Sequence, residues 1–403
     1  MKNYRDFRFL FTSNFCANTA LWFQLLSIGW LVRDLTAASS ISSSALLVVT
    51  VGGINTLPRL LVGPWGGVLG DRLDRRKIVM ACMIIMAVAA FGFSMIIRWG
   101  LVEWWHAYIY VLFAGLVTSV SQPLRQTLIA NTVPRESFGN AYATNVFTIT
   151  GTRIIGPFIG GFLIATLGFA WNFTLESALY VAAILFLLPM KTPYSLAREA
   201  AKVSVFADLK EGISFIFRGE RTILNLIILG IIPNVILHPT WFLLPLFTAD
   251  VLHLGPDVGG ILLAATGVGG FLSGLAIASV GFVFPKGRFA LGMVVASSVS
   301  VIMFAQSHWL GLAIVVIGLM AFFQASFRTA NGTLIQGLTP DVLRGRVTSL
   351  QSYNSGFVVL TSLAIGWVVD LTNVTFGIMA VGGAGLALSI LAIATLGRVR
   401  PLA

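Results

Sequence analysis

Apolar blocks of bilayer-crossing length follow one another along the whole chain, separated by brief polar or Gly/Pro punctuation. They fall near 8–32, 44–70, 77–98, 104–130, 141–167, 170–189, 222–248, 257–281, 289–307, 309–335, 346–369 and 373–396. About 20 apolar residues span the hydrocarbon core as helix. Lipid tolerates only helices or closed barrels, and the period-two alternation of a barrel is missing from these blocks. The pattern predicts an all-α membrane protein of twelve transmembrane helices. The first block follows 1–8 directly, is too long for a signal-peptide core and has no small-residue cleavage site after it, so it reads as a retained span. The longest polar interruption divides the spans six and six. This gives an N-terminal six-helix bundle over 1–189, a linker over 190–221 and a second bundle over 222–403. Within the linker Phe206, Leu209, Ile213 and Ile216 recur at helical spacing among charges. They suggest an amphipathic helix on the inner leaflet, serving as a tether between moving halves or as a passive connection.

Composition agrees with the pattern: 57% of residues are hydrophobic and 10% charged, against about 25% charged in soluble domains. The distribution of the 26 Lys and Arg adds orientation. With a cytoplasmic N-terminus, 20 fall in the termini and the even-to-odd loops, two (Arg33 and Arg98) on the opposite side, and four inside spans. Cationic loops stay cytoplasmic, so both termini are expected inside. The net charge of +11 therefore reports topology, and its scatter over seven segments argues against a nucleic-acid partner. Cys16 and Cys82 lie inside apolar blocks and imply no disulfide. No phosphate-binding loop, zinc-ligand spacing or nucleophile elbow occurs. No enzyme, cofactor or metal is expected, and an ion gradient is the default energy source.

Polar residues inside spans are expensive and mark candidate function. Arg59 and Arg153 each lie 11 or 12 residues from the cytoplasmic end of their span, about 16–18 Å along a helix. They share a depth that no acid shares. They suit an anion-attracting centre, or bonds to backbone carbonyls and to amides such as Asn18. Asn234, His238 and Trp241 are spaced by four and three, one face of a helix that Pro233, Pro239 and Pro245 should bend. They form a pocket candidate with Asn18, Gln24, Gln324 and Arg328, against the alternative of a packed, neutral His238. An antiporter must also carry a proton. His238 is the first choice because imidazole titrates near neutrality. Glu176, a turn or two inside span six, is the second and is expected to be structural first.

Two motifs carry more. The stretch "GVLGDRLDRRK" (67–77) packs six charges into 71–77 between two apolar spans. It resembles the loop motif of the major facilitator superfamily between spans two and three, Gly-x-x-x-Asp-Arg-x-Gly-Arg-Arg-Lys. Asp74 replaces the second glycine, as in the enterobactin-exporter and macrolide-efflux branch. Asp71 follows a helix C-terminus, an unfavourable place for an anion. The resemblance implies that it docks on the start of span eleven, near Arg346. Gly67, Asp71, Arg72, Arg75 and Arg76 would form a cytoplasmic latch, the alternative being a topology anchor. The stretch "GTRIIGPFIGG" (151–161) is similar to the fifth-span motif of superfamily antiporters through Gly156, Pro157, Gly160 and Gly161. With Thr148 and Thr152, the glycines give a small-residue face that lets helices approach. Arg125 lies near the cytoplasmic end of span four, outside the middle where many drug antiporters carry an arginine, and reads as a partner of the charged knot. "VPRESFGNA" (133–141) and "TPDVLRGRV" (339–347) share Pro and Gly at one offset, a faint six-span repeat.

The resemblance implies a monomeric secondary transporter of the bacterial inner membrane. It would export an amphipathic small molecule (a siderophore, drug or secreted metabolite) by proton antiport. An organic-anion importer or facilitator, and a transport-inactive sensor or scaffold, are the other readings.

Overall fold

The computed structural model describes residues 4–39, 41, 44–58, 60, 62, 74–191, 221–340, 347 and 357–402. These form helices α1 (Arg5–Ala38), α2 (Ser44–Ile54), α3 (Arg75–Arg98), α4 (Trp104–Asn131), α5 (Phe138–Leu167) and α6 (Phe169–Leu187). They continue with α7 (Arg221–Val251), α8 (Pro256–Val280), α9 (Lys286–Ala305), α10 (Leu310–Leu338), α11 (Val358–Leu371) and α12 (Val374–Thr395). Among the described residues ten helices are long and apolar enough to cross a membrane, and α2 and α11 are shorter apolar helices at the places expected for spans two and eleven. Most of the remainder of those two spans, the linker from 192 to 220, and Arg59, Gly67, Asp71, Arg72 and Arg346 lie outside the described residues.

Local chemistry sets the helix ends. Asp74 accepts from the backbone N–H of Arg76 (2.9 Å) and Lys77 (3.4 Å), capping α3. Glu103 and His106 form a reciprocal box at the start of α4, and Asn373 accepts from Phe376 N–H at 2.8 Å to start α12. The junction between α5 and α6 is the single residue Gly168, at φ +82°, a backbone region that only glycine adopts at no steric cost. Large apolar side chains face outward along the helices, Val88 at 68% and Trp367 at 60% exposure among them. In water such a surface would drive association; in lipid it meets its solvent.

Packing sorts the chain into two units. The first holds 1–40, 57–202 and 255–264, and the second 41–56, 203–254 and 265–403. Helix α2 as described thus packs with the second unit and the first turns of α8 with the first. The boundaries 1–189 and 222–403 remain the proposal for two evolutionary halves.

Helix α7 departs from a smoothly bent rod. It is α-helical to Ile231, π-helical over Ile232–Ile236, 3-10 over His238–Trp241 and π-helical again over Phe247–Val251. Proline has no N–H, so each one orphans the carbonyl four residues earlier. Pro239 orphans Val235, whose carbonyl instead accepts from Thr361 Oγ1 of α11 at 2.9 Å. Wider and tighter turns absorb the register error between successive prolines.

Candidate functional site

In the first unit the four-apart face of α5 is closed. Thr148, Thr152, Gly156 and Gly160 are all buried. A Cβ on Gly156 would lie 2.7 Å from Trp22 Cβ, and Gly160 packs against Phe23 of α1 and Asn172 of α6. Asn172 donates to Gly160 O at 3.1 Å and accepts from Ser27 Oγ at 2.7 Å, so one amide joins α1, α5 and α6. Gly161 turns elsewhere. A Cβ there would meet Pro256 O at 2.6 Å and Gly260 Cα at 3.0 Å, and a Cβ on Gly260 would collide with Pro157 O. The fifth-span glycines therefore serve two contacts, one with α1 and one with the first turns of α8.

On α1, Asn18 is half-buried and Gln24 fully so, and neither amide atom of Gln24 has a partner among the described residues. Arg153 stands over the Trp22 ring at 5.6 Å, a favourable cation–π placement.

Glu176 is 0% exposed. Tyr110 donates to its Oε1 at 2.7 Å, while Oε2 has no partner among the described residues. Phe93 stacks on Tyr110 at 4.7 Å, and Phe173 meets both rings edge-on. The carboxyl is thus tied to α4 through a tyrosine that is itself held in an aromatic cluster. One turn further along α6, Tyr180 lines a small cavity with Leu21, Met86, Thr118, Ser121 and Arg125. Arg125 is buried there, and its Nε and Nη1 have no partner among the described residues.

Only the second half of the charged knot is described. Arg75 Nη1 reaches Asn131 Oδ1 at 3.5 Å, at the end of α4. Arg76 donates to the carbonyls of Leu188 and, at 2.7 Å, Met190. A guanidinium at the C-terminal end of α6 meets the carbonyls that the helix itself cannot satisfy. These two arginines staple the start of α3 to the ends of two neighbours.

In the second unit His238 packs against Trp241 (ring centroids 4.9 Å) and Phe242 (5.3 Å). Asn234 lies beside Gly230 together with Asn331 of α10. Gln324 is 1% exposed with no partner for Nε2 among the described residues; Asn331 is buried, and its Oδ1 likewise has no such partner. Arg328, between them on α10, is exposed. Sequence reading missed Tyr110, Trp22, Asn172 and Asn331. Only Asn331 left a signal, at seven residues from Gln324 on one helical face.

Comparison with known proteins bears on the chain as a whole. The sequence profile described as "Transmembrane secretion effector" matches residues 3–401. The staphyloferrin A transporter of Staphylococcus aureus is 24% identical over 93% of this chain and 92% of its own length. The enterobactin exporter EntS of Citrobacter koseri is 24% identical over 87% and 82%. Among solved structures, a point mutant of the nucleoside transporter NupG superposes with a TM-score of 0.76 at 13% identity, covering 97% of this chain and 99% of that one. A D-xylose-proton symporter gives 0.72 at 16% identity, with 97% of each chain covered.

Proposed function

The chain belongs to the transmembrane secretion effector family of the major facilitator superfamily, and on that premise we propose that this secondary transporter is a proton-coupled exporter of a siderophore-like small molecule. The observation that carries the coupling is Glu176, wholly buried, held on one oxygen by Tyr110 and unpartnered on the other among the described residues. Desolvating a carboxylate without a cation is costly, so a buried carboxyl of this kind is suited to taking up and releasing a proton. One turn along α6, Tyr180 lines the small cavity that holds Arg125. This choice reverses the order drawn from sequence. His238 is half-buried and flanked by aromatic rings, a setting that fits cargo contact as well as titration.

The cargo class rests on the cations and the unsatisfied amides. An arginine near mid-membrane costs about 2.5–3.5 kcal/mol on insertion scales unless it faces protein or water. That cost favours an orientation of Arg328, accessible at its surface on α10, away from lipid, and Arg153 over Trp22 offers a cation beside an aromatic plane. Each of these cations, taken by itself, suits an acceptor-rich, partly negative cargo. Enterobactin and staphyloferrin A, named for the relatives, are the first compounds to test.

The test is accumulation of each compound in inside-out proteoliposomes with an imposed pH gradient. The parent accumulates at least one of them. Glu176→Gln loses gradient-driven accumulation and keeps substrate-for-substrate exchange, while His238→Gln keeps both at altered affinity. A parent indifferent to the gradient defeats proton coupling. A Glu176→Gln variant that still couples moves the proton site elsewhere.

A further inference from the structure

Asp370 occupies the last turn of α11, where an anion faces the negative end of its own helix dipole. It stays there through a contact far away in sequence. Its Oδ1 accepts from Ala45 N–H at 2.9 Å and its Oδ2 from Leu46 N–H at 3.1 Å. Both donors belong to the first turn of α2, whose N–H groups lack intrahelical partners and carry the positive end of the dipole. Among the described residues no cation pairs with Asp370. The carboxylate serves α2 as an N-cap supplied by another helix.

Behind it the two helices run antiparallel with their backbones nearly touching. A Cβ on Gly366 would lie 2.8 Å from Leu46 Cα. Two turns along α2, a Cβ on Gly53 would lie 2.5 Å from Ser362 Oγ and 3.3 Å from Val359 Cα. Ser362 is completely buried in this contact. The contact is small-residue packing plus one charge-to-dipole clasp, with no covalent or cation-mediated tie among the described residues. Parting these helices returns two N–H groups and a carboxylate to water, which offsets part of the loss of the clasp.

We propose that Asp370 is an outer latch: docked on the first turn of α2 it holds the α2–α11 contact closed, and the transport cycle releases it to open the side of the membrane opposite the Lys/Arg-rich loops. Asp370 is a positioning residue that touches no cargo. The proposal is independent of cargo identity and coupling ion.

The test uses the full chain with Cys16→Ser and Cys82→Ser and a single probe, Ser362→Cys, in right-side-out vesicles. A membrane-impermeant maleimide reads exposure of the α2–α11 contact from outside. Asp370→Asn raises the labelling rate severalfold and Asp370→Ala raises it further, while Asp370→Glu, which keeps the charge, stays closer to the parent. A second probe, Thr148→Cys, buried in α5 within the first unit, reads general loosening and does not change. Gly366→Val, which wedges the helices apart with Asp370 intact, accelerates Ser362→Cys labelling and keeps the question answerable if the Asp370 variants do not fold. Unchanged labelling in a monodisperse Asp370→Ala protein, or an equal rise at both probes, overturns the latch.

Discussion

Asp74 stands where the superfamily motif carries a glycine, and its side chain caps α3 through Arg76 and Lys77. Replacing a capping Asp by Ala costs about 0.5–2 kcal/mol, while Gly costs only a few tenths. Asp74→Ala should therefore lower the unfolding midpoint in detergent measurably, and Asp74→Gly, which restores the motif, should lower it little. Equal losses in the two variants would remove the cap as the reason for the departure. The position was legible in sequence as a deviation, and its purpose became legible only with the helix start in place. Glu176 shows the opposite case. Its type and approximate depth could be read from the chain, but Tyr110, 66 residues away, supplies the hydrogen bond. A partner on another helix leaves no periodic trace. Asp370 was hidden for the same reason: from sequence it was one more acid at a span end.

Helices were the most legible level, because twenty-residue apolar blocks and their punctuation are local features. The observed ends of α3, α4, α6, α8 and α12 lie within about two residues of the expected ones. Prolines announced that α7 would be irregular, but which carbonyls would be orphaned and who would satisfy them depended on Thr361 from α11. The glycines of α5 announced close approach without naming the neighbour. The structure supplies α1 for Gly156 and α8 for Gly161, which turns an expectation of close packing into a graded one. Gly156→Val forces a branched side chain onto Trp22, and overpacking of this kind costs about 1–3 kcal/mol. Thermal unfolding should shift downward and transport should fall. Gly139→Val, a glycine in the same helix with nothing within 4 Å of its Cβ, carries only the ordinary propensity difference and serves as the reference. A Gly156→Val protein as stable and active as Gly139→Val would show that α1 and α5 separate freely.

At the scale of the whole molecule, the sequence offered an acid after span two and the structure an acid after span eleven. The motif resemblance implies that Asp71, outside the described residues, would dock on the start of span eleven on the Lys/Arg-rich side. Asp370 caps the start of α2 on the other. The same helix pair would then carry one clasp at each end, each made from a carboxylate at a helix C-terminus and the N–H groups of the other helix. If the pair rocks and only one clasp closes at a time, the two acids would together set the balance between the alternating states. Loss of Asp71 favours the state open to the cytoplasm, in which Ser362 stays covered. Loss of Asp370 favours the state open to the outside, in which Ser362 is reached. Perturbations at distant, independent sites add in free energy, and these two carry opposite signs. The Asp71→Asn/Asp370→Asn double variant should therefore label at Ser362→Cys at a rate near the parent, between slow Asp71→Asn and fast Asp370→Asn. Transport should recover in parallel, since a cycle is slowed by over-populating either end state. If the double variant labels as fast as Asp370→Asn alone, the charged knot contributes nothing to the balance. Asp71 and its neighbours would then be an anchor that fixes orientation, with the outer clasp working against some other restraint.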